Sequence, residues 1–403
     1  MIDLILASTD AAAGAVQAVT ASGADHKAWA YGIFIGLVLL FLALDLGVFH
    51  REAHEVSMKE AVSWSVVWLT CGVAFAGVVY LAYENHWLGL GLNVPMYDRS
   101  EGAASLIVRG TVGGYAAAEQ YLVGYVLEKS LAMDNIFVIA LLFSFFAIPR
   151  KYQHRVLFWG IIGALLMRGA MIGLGANLIM KYQWILIFFG LFLILTALKM
   201  AIIKGESDPS KNVVVRLVKK VYPVTDFFDG QSFFTRRTVK PTYSTDPATG
   251  KEVMDPPPPG TLSAKWAITP LFLALIMVEI TDLVFAVDSI PAIFAITPDP
   301  FIVFTSNIFA ILGLRALYFC LAALIAKFRF LKPALILILA FVGVKLLLLS
   351  LPPYLDDLKL VTEPVKSIKI DTTISLVAVL STLGLAVVLS AVFPEKQNAE
   401  GQA

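Results

Sequence analysis

Long apolar runs alternate with short polar connections along this chain, and a helix that crosses about 30 Å of hydrocarbon needs roughly 20 residues. Nine runs reach that length, near 28–49, 61–83, 118–148, 156–180, 184–203, 267–297, 301–325, 333–352 and 372–393. They predict an all-α polytopic membrane protein of about nine transmembrane helices. The third and sixth runs exceed a straight span, an excess that tilt, a kink or a broken helix would absorb.

The polar stretches between the runs set the organisation. Residues 1–27 read as a flexible lead-in, since Asp3 stands where a cleaved signal would carry basic residues. A first bundle of about five helices (28–203) is joined to a second of about three (266–352) by a loop at 204–265, and 353–403 holds a hairpin loop, a last helix and a tail. Within the long loop, 213–221 predicts a short basic amphipathic helix. The stretch 241–260, with four consecutive prolines from Pro256 to Pro259, predicts an irregular linker, so the loop reads as a tether.

Loop charges predict orientation. With the amino terminus outside, nineteen Lys and Arg residues fall on the cytoplasmic side and seven on the other, favouring a periplasmic amino terminus and a cytoplasmic carboxyl terminus. A composition of 58% hydrophobic and 15% charged residues excludes a soluble enzyme. No P-loop, nucleophile elbow or dinucleotide motif is present, and no enzymatic activity is expected. The net charge of +1 says nothing about partners; those expected are the lipid bilayer and a divalent cation, with no nucleic acid and with protein partners open. Cys71 and Cys320 both sit in apolar runs and read as small core residues.

The sixth run changes the picture from anchor to machine. Glu279, Asp282 and Asp288 lie within it, beside Thr281 and Ser289 and before Pro291. Each acid at a helix centre opposes insertion by roughly 2.5 to 3.5 kcal/mol, so an ion path, a proton relay or a pairing site is the default reading. Glu279 and Asp282 share a helical face. Asp282 and Asp288, six residues apart, differ by about 240° of rotation, so either the two serve different partners or the helix is distorted between them. Pro291 favours distortion and would free the Val287 carbonyl as an oxygen ligand.

An internal repeat pairs these acids with others. Glu128 to Asn135 aligns on Asp282 to Ser289, each with an acid, five residues, a second acid (Asp134, Asp288) and a small polar residue. In the helices that follow, Gly163 to Arg168 aligns on Ala310 to Arg315, placing one arginine in mid-span of each half. Repeats of this kind put a transporter's site between halves, near the midplane.

Each arginine could hold one carboxylate bidentately and simply lock helices together. The count does not close, however: Glu128, Asp134, Glu279, Asp282, Asp288 and Asp45 face only Arg168, Arg315, Lys129 and Lys345, and Lys345 lies near enough to a span end to snorkel. A bound cation or protonation would resolve the excess. The donors, which include Asn135, Asn307, Thr281 and Ser289, are all oxygens, a set that suits Mn²⁺, Mg²⁺ or Ca²⁺. Asp45, near an end of the first span, joins the same cavity or caps a helix turn. His50 and His54 are four apart and read as solvated loop residues, and Gly163, Gly169, Gly173 and Gly175 read as close-packing faces.

The segments Glu128 to Val138, Arg155 to Gly160, Glu279 to Ala292 and Thr305 to Ala316 resemble the TerC family, in particular its Alx-like branch, over roughly Tyr31 to Pro352. The resemblance implies a bacterial inner-membrane protein related to LysE-type cation exporters, with family ties to manganese export, alkaline response and tellurite resistance. It implies Glu128, Asp134, Glu279, Asp282 and Asp288 as the metal-handling acids, and no permanently bound cofactor. The expected function is export of Mn²⁺ as transported substrate, with proton counter-transport because neighbouring carboxylates resist full ionisation. Glu128, Asp134 and Asp288 would ligate the ion directly, and Glu279 and Asp282 would be further ligands or proton carriers. Arg168 and Arg315 would hold or displace them as the site empties, and the half with Glu279 and Pro291 is the one expected to move. The rival expectation is a non-transporting scaffold in a stress complex or in membrane-protein assembly.

Overall fold

The computed structural model describes residues 26–44, 57–98, 106–202, 217–218, 220–245, 252–258, 260–322, 330–352 and 370–393. All nine predicted runs are helical there. The first six helices are α1 (His26–Leu44), α2 (Met58–Glu84), α3 (Gly114–Phe145), α4 (Arg150–Lys181), α5 (Ile185–Ile202) and α6 (Pro270–Phe294). The seventh run divides into α7 (Pro300–Ile311) and α8 (Leu314–Ala322), followed by α9 (Leu331–Ser350) and α10 (Thr372–Val392).

Among the described residues, eight helices are long and apolar enough to cross a membrane, counting Pro300–Cys320 as one. The ninth, α3, has the length at 32 residues but carries Glu119, Glu128, Lys129 and Asp134. It packs against α2, α6, α7, α8 and α10. Charged positions in a spanning helix are tolerated when protein rather than lipid surrounds them, and this acid-bearing helix is surrounded by others. Around it, Phe34 of α1, Phe75 of α2, Tyr121 of α3 and Phe309 of α7 form an aromatic cluster, with Phe75 and Phe309 ring centroids 4.4 Å apart.

Local chemistry explains the helix ends. Pro270 and Pro300 stand at the first helical positions, where a missing N–H costs nothing. The expected distortion of the sixth run does not occur: α6 is helical without interruption, and Pro291 falls in its last turn, where it ends the helix soon after instead of dividing it. The break lies in the next run. Leu312 is extended (φ −56°, ψ 132°) and Gly313 is left-handed (φ +78°), a conformation that a residue with a Cβ adopts only at a cost. A Cβ at Gly313 would also collide with Trp68 of α2.

Small antiparallel pairings cover both ends of the bundle. Strands β1 (Val94–Tyr97) and β2 (Ile107–Gly110) form a ladder between α2 and α3, tied down where Lys27 Nζ donates to the Leu92 carbonyl at 2.5 Å. At the other end, β3 (Phe234–Arg237) pairs with β6 (Leu262–Ile268), and β4 (Tyr243–Thr245) pairs with β5 (Glu252–Met254) between them. The predicted irregular linker at 241–260 therefore contains a short ladder. The prolines from Pro256 follow β5, where no ladder N–H is required. Arg155 of α4 lies over the Phe233 ring at 5.1 Å, which docks this unit on the bundle. Residues 1–25, most of the predicted 213–221 helix and much of 353–403 lie outside the described residues.

The glycine stripe on α4 is only partly a packing face. Gly169 and Gly175 face Phe304 and Phe294, whereas Gly173 faces open space. The close backbone approach is instead between Gly190 of α5 and Gly343 of α9, where a Cβ on Gly343 would lie 3.0 Å from the Gly190 carbonyl oxygen.

Candidate functional site between the halves

Arg168 of α4 organises the centre of the molecule. It is 1% exposed, and its guanidinium donates in three directions. Nε and Nη2 grip the Asp282 carboxylate of α6 at 3.1 and 2.8 Å, and Nη1 pairs with Glu128 of α3. Nη1 also donates to Asn307 Oδ1 of α7 at 2.9 Å and lies 3.5 Å from Ser289 Oγ of α6. Asn307 Nδ2 in turn donates to Glu128 Oε2 at 3.3 Å, and Asn135 Nδ2 of α3 donates to Asp282 Oδ1 at 3.2 Å. Four helices from both halves thus meet on one guanidinium, whose planar fork is the side chain suited to two carboxylates at once.

The two leading acids of the repeat, Glu128 and Asp282, therefore come together, while Asp288 does not join them. It faces α5, accepting from Thr196 Oγ1 at 3.1 Å, with Lys199 supplying positive charge nearby. Of the two readings of the six-residue spacing, separate partners is the one realised. Thr196 and Lys199 escaped the sequence reading, although they are the only strongly polar pair in the otherwise apolar α5. Thr281 stays half-buried beside Asp282.

Glu279 reaches α4 at Gly163, whose missing side chain leaves space for the carboxylate; a Cβ there would collide with it. Its Oε2 is buried and has no hydrogen-bond donor, and the same holds for Oδ1 of Asn135. Both orphaned oxygens neighbour Asp282, Glu279 one turn before it on the same face and Asn135 through its hydrogen bond. Asp134 lies on α3 next to Asn135, with its side chain outside what is described, and Asp45 lies outside the described residues. Among the described residues no three His, Cys, Asp or Glu side chains cluster tightly enough to hold a metal unaided.

The remaining cations are placed elsewhere. Arg315 lines a cavity with Leu42, Trp64, Trp68 and His154. Lys345 does not snorkel: it is 6% exposed and donates to Ser375 of α10 at 2.7 Å. Lys129 donates to the carbonyls of Ala310 and Leu312, at 3.0 and 3.4 Å. The freed carbonyls expected beside Asp288 are found instead at the α7 break, already taken by an ammonium.

Comparison with known proteins assigns the chain to a family. The family model described as "Integral membrane protein TerC family" matches residues 114–398, from the start of α3 through α10. The chain belongs to the TerC family. The match runs past the Pro352 limit of the resemblance to take in the last helix, and the model begins only at α3. A relative from Myxococcus xanthus, an uncharacterized membrane protein, is 40% identical over 79% of this chain and 84% of its own length. A relative from Photorhabdus laumondii, provisionally named membrane-bound redox modulator Alx, is 42% identical over 79% of this chain and 86% of its own. One of the same name from Escherichia coli K12 is 40% identical over 79% and 86%. No solved structure matches the TerC chain at a significant level.

Chemically, this TerC centre is a pair of acids on one buried guanidinium. The acceptors gathered there are oxygens: two carboxylates on Arg168, a third carboxylate with an orphaned oxygen, two amides and a hydroxyl.

Proposed function

We propose that this protein is an inner-membrane exporter of a divalent cation, Mn²⁺ by the chemistry of its donors, working as a secondary transporter with its amino terminus periplasmic and its carboxyl terminus cytoplasmic. The observation that carries the reading is the pair of buried oxygens without donors, Asn135 Oδ1 and Glu279 Oε2, beside Asp282. A buried acceptor left without a donor costs about 1 to 3 kcal/mol, and a cation or a proton relieves that cost. An all-oxygen set with several carboxylates suits a hard divalent ion.

In this cycle Arg168 is the resident counter-charge. It neutralises Glu128 and Asp282 when no cargo is held, and arriving Mn²⁺ competes for the same carboxylates. Asn307 and Ser289 already accept from Arg168 and would retain it as Asp282 lets go. Carboxylates gathered this closely exchange protons with their charge state, which makes proton counter-transport the natural coupling.

The test is Mn²⁺ uptake into proteoliposomes. Glu128→Gln and Asp282→Asn each reduce flux by about tenfold or more, the effect of weakening cargo binding by roughly 1.4 kcal/mol. Wild-type protein that moves no Mn²⁺, or amide variants that move it normally, would sink the proposal. The scaffold reading has an observation of its own, since Arg168 joins four helices as a lock would. It requires Arg168→Met to unfold or dissociate the protein with no metal phenotype in any variant.

A further inference from the structure

We infer that Lys129 is a positioning residue that pins the mid-membrane break between α7 and α8, and that the dipeptide Glu128–Lys129 ties this break to the acid site. In a continuous helix the Ala310 carbonyl would accept from the amide four residues on; with Leu312 extended and Gly313 left-handed, that bond is forfeited. Two backbone oxygens, Ala310 and Leu312, are thereby left at the open, negative end of α7 within the span. Unsatisfied carbonyls are expensive away from water. The Lys129 ammonium meets both, at 3.0 and 3.4 Å, and these neutral oxygens are its hydrogen-bond partners among the described residues.

The neighbouring residue grips the same helix at a second point. Glu128 Oε2 accepts from Asn307, one turn before Ala310, while Glu128 Oε1 is held by Arg168. Consecutive residues of α3 thus hold α7 by a side-chain amide and by its terminal carbonyls. Any displacement of Glu128 from Arg168 pulls on the segment that Lys129 clamps. The pin stands on geometry alone; its use to gate cargo rests on the transport reading.

Hydrogen–deuterium exchange on the purified full-length protein tests the pin without any transport assay. Lys129→Met accelerates exchange of amides 312–318 by about tenfold, as expected when a charge-assisted hydrogen bond is lost, while α6 and α9 exchange as in the wild type. Lys129→Arg, which keeps a charged donor, leaves the segment close to the wild-type rate. Unchanged exchange at 312–318 in a folded Lys129→Met protein overturns the proposal. If Lys129→Met does not fold, Lys129→Gln serves, with an intermediate local acceleration expected; acceleration spread evenly over all helices, or none, overturns it equally. Mn²⁺ flux measured on the same wild-type preparation separates the two claims, because absent flux removes the transport reading and leaves the exchange result standing.

Discussion

The two halves of the repeat begin from matching sequence and end in different geometry. In the first, α4 runs unbroken from Arg150 to Lys181 and carries Arg168 into the centre between Glu128 and Asp282. In the second, the aligned Arg315 starts a new helix beyond the break and lines a cavity beside Trp64 and Trp68. The position that decides this is Leu166 in one half and Gly313 in the other. Leu166 keeps the helix, whereas Gly313 takes a left-handed turn that only a residue without a Cβ enters readily. A sequence repeat has thus become an asymmetric device, with one arginine serving two acids and the other arginine sent elsewhere.

The largest effect should come from breaking the first half. Arg168→Met leaves the buried Glu128 and the half-buried Asp282 without their counter-charge, a loss of about 3 to 5 kcal/mol in stability. Thermal unfolding in detergent should show it, and adding Glu128→Gln with Asp282→Asn should recover part of the loss by removing the stranded charges. Arg315→Met leaves the Glu128–Arg168–Asp282 network in place and should cost less. Equal losses for the two arginines would erase the asymmetry.

A smaller effect should come from the break itself. Gly313→Ala must hold a left-handed backbone against Trp68, at about 1 to 2 kcal/mol for the backbone alone. Leu166→Ala, at a position 69% exposed, should stay within about 0.5 kcal/mol. If Gly313→Ala unfolds at the wild-type temperature, α7 and α8 can join as α4 does, and the break is not a fixed feature.

Much of this was legible because membrane physics leaves few choices. Apolar length locates every long helix among the described residues, and the improbability of intramembrane acids picks out Glu128, Asp282 and Arg168 before any contact is known. The break was misplaced because Pro291 is a louder signal than Gly313, although a proline in a last turn merely ends a helix. Lys129 reads from sequence as one of the few cations facing the acids, since sequence cannot show where a backbone carbonyl is free. The β4–β5 ladder was hidden by the prolines beside it. Asp288 was grouped with the other acids by alignment, but the helical rotation that turns it to Thr196 was already the better guide.

The smallest effect should appear where α4 and α7 begin. α4 follows Pro149 and has no side-chain cap, whereas Asp299 caps α7, accepting from the Phe301 amide at 3.0 Å and from the Tyr83 hydroxyl at 2.8 Å. Burial, at 2% exposure, is the dominant influence on this carboxyl and holds it above the usual carboxylate range, with Tyr83, the Phe301 amide and Lys27 pulling the other way. The folded state therefore takes up the proton more readily than the unfolded chain. Its contribution to stability is complete below the usual carboxylate range and is lost as pH rises through the elevated value. Asp299→Asn keeps the cap and abolishes the titration, so relative to wild type it should gain stability from acid to neutral pH, by about 1 kcal/mol or less given that Asn caps as well as Asp. Unfolding midpoints of the two proteins across that range decide the matter. A constant difference between them would mean that Asp299 does not titrate in the folded protein, and the entry to α7 would then be no more sensitive to pH than the uncapped entry to α4.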